Sequence, residues 1–160
     1  MPQPLIVGVD DEQDDIFFLR HIIQKVGMPH RFQPFANGEA AVNGLTAMLE
    51  QQNPAALPLV CFVDIKMAAM NGFDLLRWIR AQKGLDVVPV IMFSSSDDPR
   101  DVDEARDLGA QGYLKKYPSV AAMGTILEQA KEFWLLPAPE KTFLQWSYRF
   151  VGSSDAVAAR

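Results

Sequence analysis

The chain predicts a doubly wound α/β fold, because continuous apolar runs of strand length alternate with stretches of helical periodicity long enough to cross between parallel strands. Within the runs, polar and apolar residues do not alternate, as expected for strands covered by helices on both faces. The runs are Leu5 to Val9, Leu59 to Val63, Val87 to Phe93 and the weaker Gly112 to Leu114, with a further strand expected at Arg31 to Phe35. In chain order they give βα repeated five times. Right-handed crossovers then put any ligand at the carboxyl ends of the strands, beside the switch in strand order.

Helices are marked by spacing and by their ends. Ile16, Leu19, Ile22, Ile23 and Val26 recur at helical intervals; Phe18, Leu19, Ile22 and Ile23 form the expected core stripe, with Ile16 and Phe17 partly outside it. Gly27 ends this helix. Phe73, Leu76, Trp78, Ile79 and Arg80 mark another that opens after Asn71-Gly72, and Gly109 closes one that begins around Arg100. The last helix runs from Ser119 to about Leu136. It carries Val120, Met123, Leu127, Ala130 and Trp134 on one stripe and Ile126, Phe133 and Leu136 on a second, and the second stripe reads as a contact surface. Beyond Pro137-Ala138-Pro139 the period becomes two: Leu144, Trp146, Tyr148 and Phe150 alternate with Gln145, Ser147 and Arg149, so Thr142 to Val151 is a strand candidate outside the main unit.

At 160 residues the chain suits one domain plus an extra segment. Its 49% apolar and 22% charged content is globular, and no apolar run approaches the roughly 20 residues that cross a bilayer. Met1 to Leu5 lacks the basic region of a signal peptide, so a cytoplasmic location without a membrane partner is expected. Cys61, inside an apolar run, reads as a buried small hydrophobe, and a single cysteine excludes a disulfide within the chain. With 15 Lys+Arg against 20 Asp+Glu, a formal charge of -5 and no basic block, direct nucleic-acid binding is not expected. His21 and His30 have no companions at metal-ligand spacing.

The first strand runs into Asp10-Asp11 and the third into Asp64, so the topology brings carboxylates together at one end of the sheet. Unpaired, they would repel; either protons or a cation must be present. Taken alone, Asp11 or Glu12 reads equally well as a helix N-cap. Oxygen donors with open positions suit Mg2+. The fourth strand leads to Ser94, a hydroxyl able to donate to a phosphoryl oxygen, and the fifth to Lys115-Lys116, an ammonium able to pair with the same group. A nucleophilic carboxylate, a metal site, a hydroxyl and an ammonium are together the parts needed for phosphoryl transfer.

These residues resemble the receiver domain of two-component response regulators. The resemblance covers about Leu5 to Leu136 and rests on Val9-Asp10-Asp11, Val63-Asp64-Ile65-Lys66-Met67 with Asn71-Gly72, Ile91-Met92-Phe93-Ser94-Ser95, and Gly109-Ala110-Gln111-Gly112-Tyr113-Leu114-Lys115-Lys116. It implies a flavodoxin-like five-stranded parallel sheet of order 2-1-3-4-5, a receiver domain at residues 1–136 and a C-terminal extension at 137–160. It further implies that Asp64 accepts a phosphoryl group from a sensor histidine kinase. Mg2+ or Mn2+ would be held by Asp11, Asp64 and the backbone carbonyl of Lys66, with Asp10 acting through water. Ser94 would be the switch hydroxyl, Lys116 the phosphate-pairing lysine and Tyr113 the switch aromatic. The family lysine is usually followed by proline; here Tyr117 intervenes before Pro118, and the sequence leaves the Lys116–Tyr117 peptide open.

Phe133 to Pro137 is also similar to the end of the final helix in regulators that accompany bacterial phytochrome-type kinases. That similarity implies a homodimer through the fourth helix, fifth strand and fifth helix, with the extension as a dimerisation arm. The first helix is the expected kinase-docking element. The chain is expected to catalyse only its own phosphorylation and dephosphorylation. Two alternatives stand beside this reading: a phosphate-relay intermediate, and a haloacid-dehalogenase-like aspartyl phosphatase. The second class expects an Asp two residues after the nucleophile, where this chain has Lys66.

Overall fold

In a computed structural model, described here over residues 3–136 and the short segments 148–149 and 158–159, five parallel strands lie in the order β2-β1-β3-β4-β5. They are β1 (Leu5–Val9), β2 (Arg31–Phe35), β3 (Val60–Asp64), β4 (Val90–Ser94) and β5 (Gly112–Lys115). Five helices connect or follow them: α1 (Gln13–Val26), α2 (Gly38–Glu50), α3 (Gly72–Ala81), α4 (Pro99–Asp107) and α5 (Val120–Leu135). The sheet order is the one expected from the sequence. A two-residue pairing joins Tyr148–Arg149 (β6) to Ala158–Ala159 (β7). The rest of the expected strand Thr142 to Val151 lies outside the described residues.

Strand alternation divides the core in two. Val7, Val9, Cys61, Val63, Val90, Met92 and Tyr113 pack with Ala41, Leu45, Leu76 and Ala105 from α2, α3 and α4. The intervening residues Ile6, Val60, Phe62, Ile91, Phe93 and Leu114 pack on the other face with Leu19, Ile23, Met123, Ile126 and Ala130 from α1 and α5. All residues of β1, β3 and β4 are buried. Full burial of a Leu, Ile or Phe side chain is worth about 1.5–3 kcal/mol, so these layers supply most of the driving force for the fold. β2 is the partly exposed edge, and its Pro34 is tolerated there because no further strand needs its missing N–H.

Helix ends follow the sequence signals. Gly27, in the left-handed region at φ 84°, terminates α1. The Asn71 side chain accepts from Asp74 N–H while Asp74 accepts from Asn71 N–H, a reciprocal capping box that starts α3. Ser119 caps α5 through Ala122 N–H. The strand expected at Val87 to Phe93 is shifted: Val87 and Val88 belong to a turn, and β4 begins only after Pro89. Val88 is nevertheless buried, which is why its apolar character resembled strand.

Two packing expectations are corrected. Phe18, assigned to the core stripe of α1, is 44% exposed; Leu19 and Ile23 alone on that helix are fully buried, because the helix presents a narrow ridge to the sheet. The second stripe of α5, assigned to a contact surface, is core in its main part: Ile126 and Phe133 are buried beside Met123, Leu127 and Ala130, and Leu136 is half-buried. α5 lies against both the sheet and α1, so a wide apolar face is needed to fill that angle.

Arg80 ties the far end of the sheet together. Its guanidinium donates to the carbonyls of Gly109 (3.0 Å) and Val88 (2.8 Å) and to Gln111 Oε1 (2.7 Å), and the same Gln111 oxygen accepts from Val90 N–H. Burial lowers this guanidinium to about 10. One side chain thus fixes the starts of β4 and β5 relative to α3.

Candidate functional site

At the carboxyl ends of β1, β3, β4 and β5 lie Asp10, Asp11, Asp64, Ser94 and Lys116. β1 delivers Asp10 and Asp11; Asp10 Oδ1 accepts from Glu12 N–H at 3.0 Å, and the N-cap Glu12 itself makes no side-chain cap bond. Asp64 is the last residue of β3, Ser94 the last of β4. Lys116 follows β5.

Asp10, Asp11 and Asp64 each offer a carboxylate oxygen, all within 4.8 Å of one another; Asp11 is exposed and the other two are buried. Burial, then the Asp10 charge, pushes the Asp64 carboxyl up to about 6 despite the nearby Lys116. Asp10 is likewise raised, chiefly by burial. Three crowded carboxylates, two of them resisting ionisation, form an all-oxygen donor set that fits a hard divalent cation. Lys66 sits in the loop from β3 to α3 with its side chain exposed. In the same loop, Ala68 N–H approaches Asp11 Oδ2 at 3.4 Å, and Ala69 has φ 62°.

Lys116 is 8% exposed at its side chain and lies 2.7 Å from Asp15, 2.8 Å from Asp10 and 3.1 Å from Asp64. Burial would lower this ammonium; hydrogen bonds to Asp10 and Asp15 and the Asp64 charge outweigh it and raise it well above the ordinary lysine range. Its Nζ also stands 5.4 Å from the centre of the Phe93 ring. The Lys116–Tyr117 peptide is cis. Lys115, the neighbouring candidate, points elsewhere and pairs with Asp97 at the surface.

Ser94 is buried, and its Oγ accepts from Ser96 N–H at 3.1 Å. Tyr113 is fully buried, its hydroxyl donating to the Ser96 carbonyl at 2.7 Å. Burial raises this phenol. Hydroxyl and aromatic therefore meet at the loop from β4 to α4.

Two residues of the site had not been anticipated. Asp15, on the first turn of α1, reads in the sequence as an ordinary helix-start acid; here it accepts from Lys116 and from the Tyr117 hydroxyl. The Tyr117 ring lies 5.2 Å from that of Phe18 and 6.2 Å from that of Phe93. Phe17, 63% exposed, stacks on His21 beside them. The exposed aromatics of α1 thus adjoin the lysine loop.

Among the described residues no helix is long and apolar enough to cross a membrane. The chain is 31% identical over 119 residues to chemotaxis protein CheY-3 of Vibrio cholerae, covering 74% of this chain and 88% of that one. It spans only 19% of another relative, the sensory/regulatory protein RpfC of Xanthomonas campestris. The fold is similar to the bacteriophytochrome response regulator AtBRR (TM-score 0.71, 20% identity, 86% of this chain and 99% of that one). It is also similar to the Mn2+-bound form of response regulator Rcp1 (TM-score 0.61, 24% identity, 86% and 100%). The family model for the response regulator receiver domain matches residues 6–128. With that match over most of its length, and with the sheet order and strand-end carboxylates described above, the chain belongs to the response regulator receiver domain family.

Proposed function

We propose that Asp64 is the nucleophile that takes a phosphoryl group from the phosphohistidine of a sensor histidine kinase, and that the chain signals by changing its protein contacts. The observation that carries this reading is the single buried cluster in which Lys116 bridges Asp10 and Asp64 beside exposed Asp11. An Asp64 oxygen attacks phosphorus, the P–N bond breaks, and the imidazole leaves with its electron pair and takes up a proton. Asp11, Asp64 and the Lys66 carbonyl, with Asp10 through water, are the residues that would hold Mg2+ or Mn2+, which supplies charge neutralisation of the phosphoryl oxygens. Lys116 pairs with a phosphoryl oxygen, and Ser94 donates its hydroxyl to another.

Response follows from competition for Ser94. Its Oγ now accepts from Ser96 N–H, and the Ser96 carbonyl accepts from Tyr113. Drawing Ser94 toward the phosphate loosens the β4–α4 loop and with it the seat of Tyr113, which alters the face formed by α4, β5 and α5. That face, together with residues 137–160, is the surface we assign to a homodimer. The exposed Phe17 and Phe18 of α1 suit kinase docking, and the likeness to phytochrome-associated regulators points to that class of kinase. Turnover is confined to the chain's own phosphorylation and dephosphorylation.

The test is phosphoryl uptake. The chain with acetyl phosphate and Mg2+ is expected to gain the mass of one phosphoryl group, and Asp64→Asn none. Equal labelling of that variant would sink the assignment; rapid turnover of small phosphate esters would favour a phosphatase instead.

A further inference from the structure

Asp15 lies outside the carboxylate cluster suited to a cation, yet it is the closest partner of the site's lysine. An ammonium has three protons to donate. Here they face three carboxylates, Asp15 at 2.7 Å, Asp10 at 2.8 Å and Asp64 at 3.1 Å. Two of those partners are compromised when the site works. Asp64 would become an acyl phosphate, with Lys116 re-pairing from its carboxylate to a phosphoryl oxygen, while Asp10 would share its charge with the water shell of a bound cation. Of the three, only Asp15 would keep a carboxylate charge that is neither phosphorylated nor shared with the cation.

The position of Asp15 suits that task. It sits in the first turn of α1, where the helix end favours negative charge, and its side chain is only 16% exposed. Lys116 is held on a short loop after β5, with its side chain 8% exposed, so an ammonium lacking a fixed counter-ion there would have no solvent to replace it. The Tyr117 hydroxyl donates to the same carboxylate, which fixes it from the opposite side.

We propose that Asp15 is a positioning residue: it anchors the Lys116 ammonium so that its third proton stays aimed at the Asp64 oxygen where the phosphoryl group arrives. The inference rests on Asp64 as the acceptor. It differs from a general charge effect, because a loss of positioning lowers the maximal rate, whereas relief of repulsion lowers the concentration of anionic donor needed for half-saturation.

The experiment is the initial rate of phosphoryl uptake by the full chain against acetyl phosphate concentration with saturating Mg2+. Asp15→Asn is expected to lower the maximal rate about tenfold, the size expected for one lost charge-assisted hydrogen bond. Asp14→Asn, the same charge change on an exposed neighbour, is expected to match the unaltered chain. In a Lys116→Ala background, Asp15→Asn should cause no further loss, because its effect runs through that ammonium. Asp15→Glu, which keeps the charge, should stay faster than Asp15→Asn; this comparison serves if the asparagine variant folds poorly. A maximal rate for Asp15→Asn equal to or above that of the unaltered chain, or a full additional loss in the Lys116→Ala background, overturns the inference while leaving Asp64 as acceptor. Failure of the unaltered chain to take up phosphate overturns both.

Discussion

Asp64 carries opposing demands: as the proposed nucleophile it must be ionised, yet burial and Asp10 push it up to about 6. Because its folded value lies above the ordinary 3.8, the folded chain binds the proton more tightly than the unfolded one between about pH 4 and 6. Stability contributed by this group therefore falls as pH rises through that window, and the penalty is complete above about pH 6. In chelator at pH 7.5, Asp64→Asn is expected to be more stable than the unaltered chain by about 1–3 kcal/mol, with the gap closing toward pH 4 in urea titrations. Added Mg2+ should narrow the gap at pH 7.5 by stabilising only the chain that keeps the carboxylate. At Ala69 the backbone adopts φ 62°, a left-handed conformation that costs an L-residue about 1–2 kcal/mol. Ala69→Gly removes that cost against a smaller entropic penalty, so a stability gain of a few tenths to about 1 kcal/mol is expected by denaturant midpoint.

Among the elements, α3 is the one most tightly tied to the site. A Cβ built on Gly72 would stand 2.2 Å from the Asp64 carbonyl oxygen and 2.8 Å from Ile65 Cα, both backbone atoms. Gly72→Ala must therefore displace the end of β3 itself; a loss of about 2–3 kcal/mol and slower phosphoryl uptake are expected, measured on the same preparation. Asn71→Ala, which removes only the cap, should cost about 1 kcal/mol and leave uptake unchanged. The strands were legible because their burial on both faces leaves an unbroken apolar run, and the N-cap of α3 because Asn71-Gly72 has a specific backbone meaning. The faces of the helices were less so. Phe18 and Ile126 are equally apolar in the sequence, and only the angle at which α1 and α5 share the sheet decides that the first is exposed and the second buried. Asp15 was hidden for a similar reason: its role depends on a lysine 101 positions away, a pairing that no local spacing announces.

At the scale of the whole molecule, the homodimer assignment concerns a surface whose best-marked part, residues 137–160, lies beyond the described core. It predicts a change of size in solution when a phosphate mimic and Mg2+ are added, and loss of the dimer on truncation after Leu136. A truncated chain that remained dimeric would remove the arm from the assembly. The two-sided core leads to a different expectation. Along each strand, odd and even positions serve opposite faces, and this alternation continues into the site: Asp10 and Asp64 follow the parity of Ile6 and Phe62 on the α1 and α5 side, and Lys116 that of Leu114. Ser94 follows Met92, and Tyr113 itself packs with α2, α3 and α4. The sheet is thus a septum one strand thick, with Asp10, the proposed acceptor Asp64 and Lys116 on one bank and the proposed responding pair, Ser94 and Tyr113, on the other. Substitution of Asp64 or Lys116 should therefore leave the chain deaf, unable to take the signal, and substitution of Tyr113 should leave it mute, phosphorylated without a change of partner.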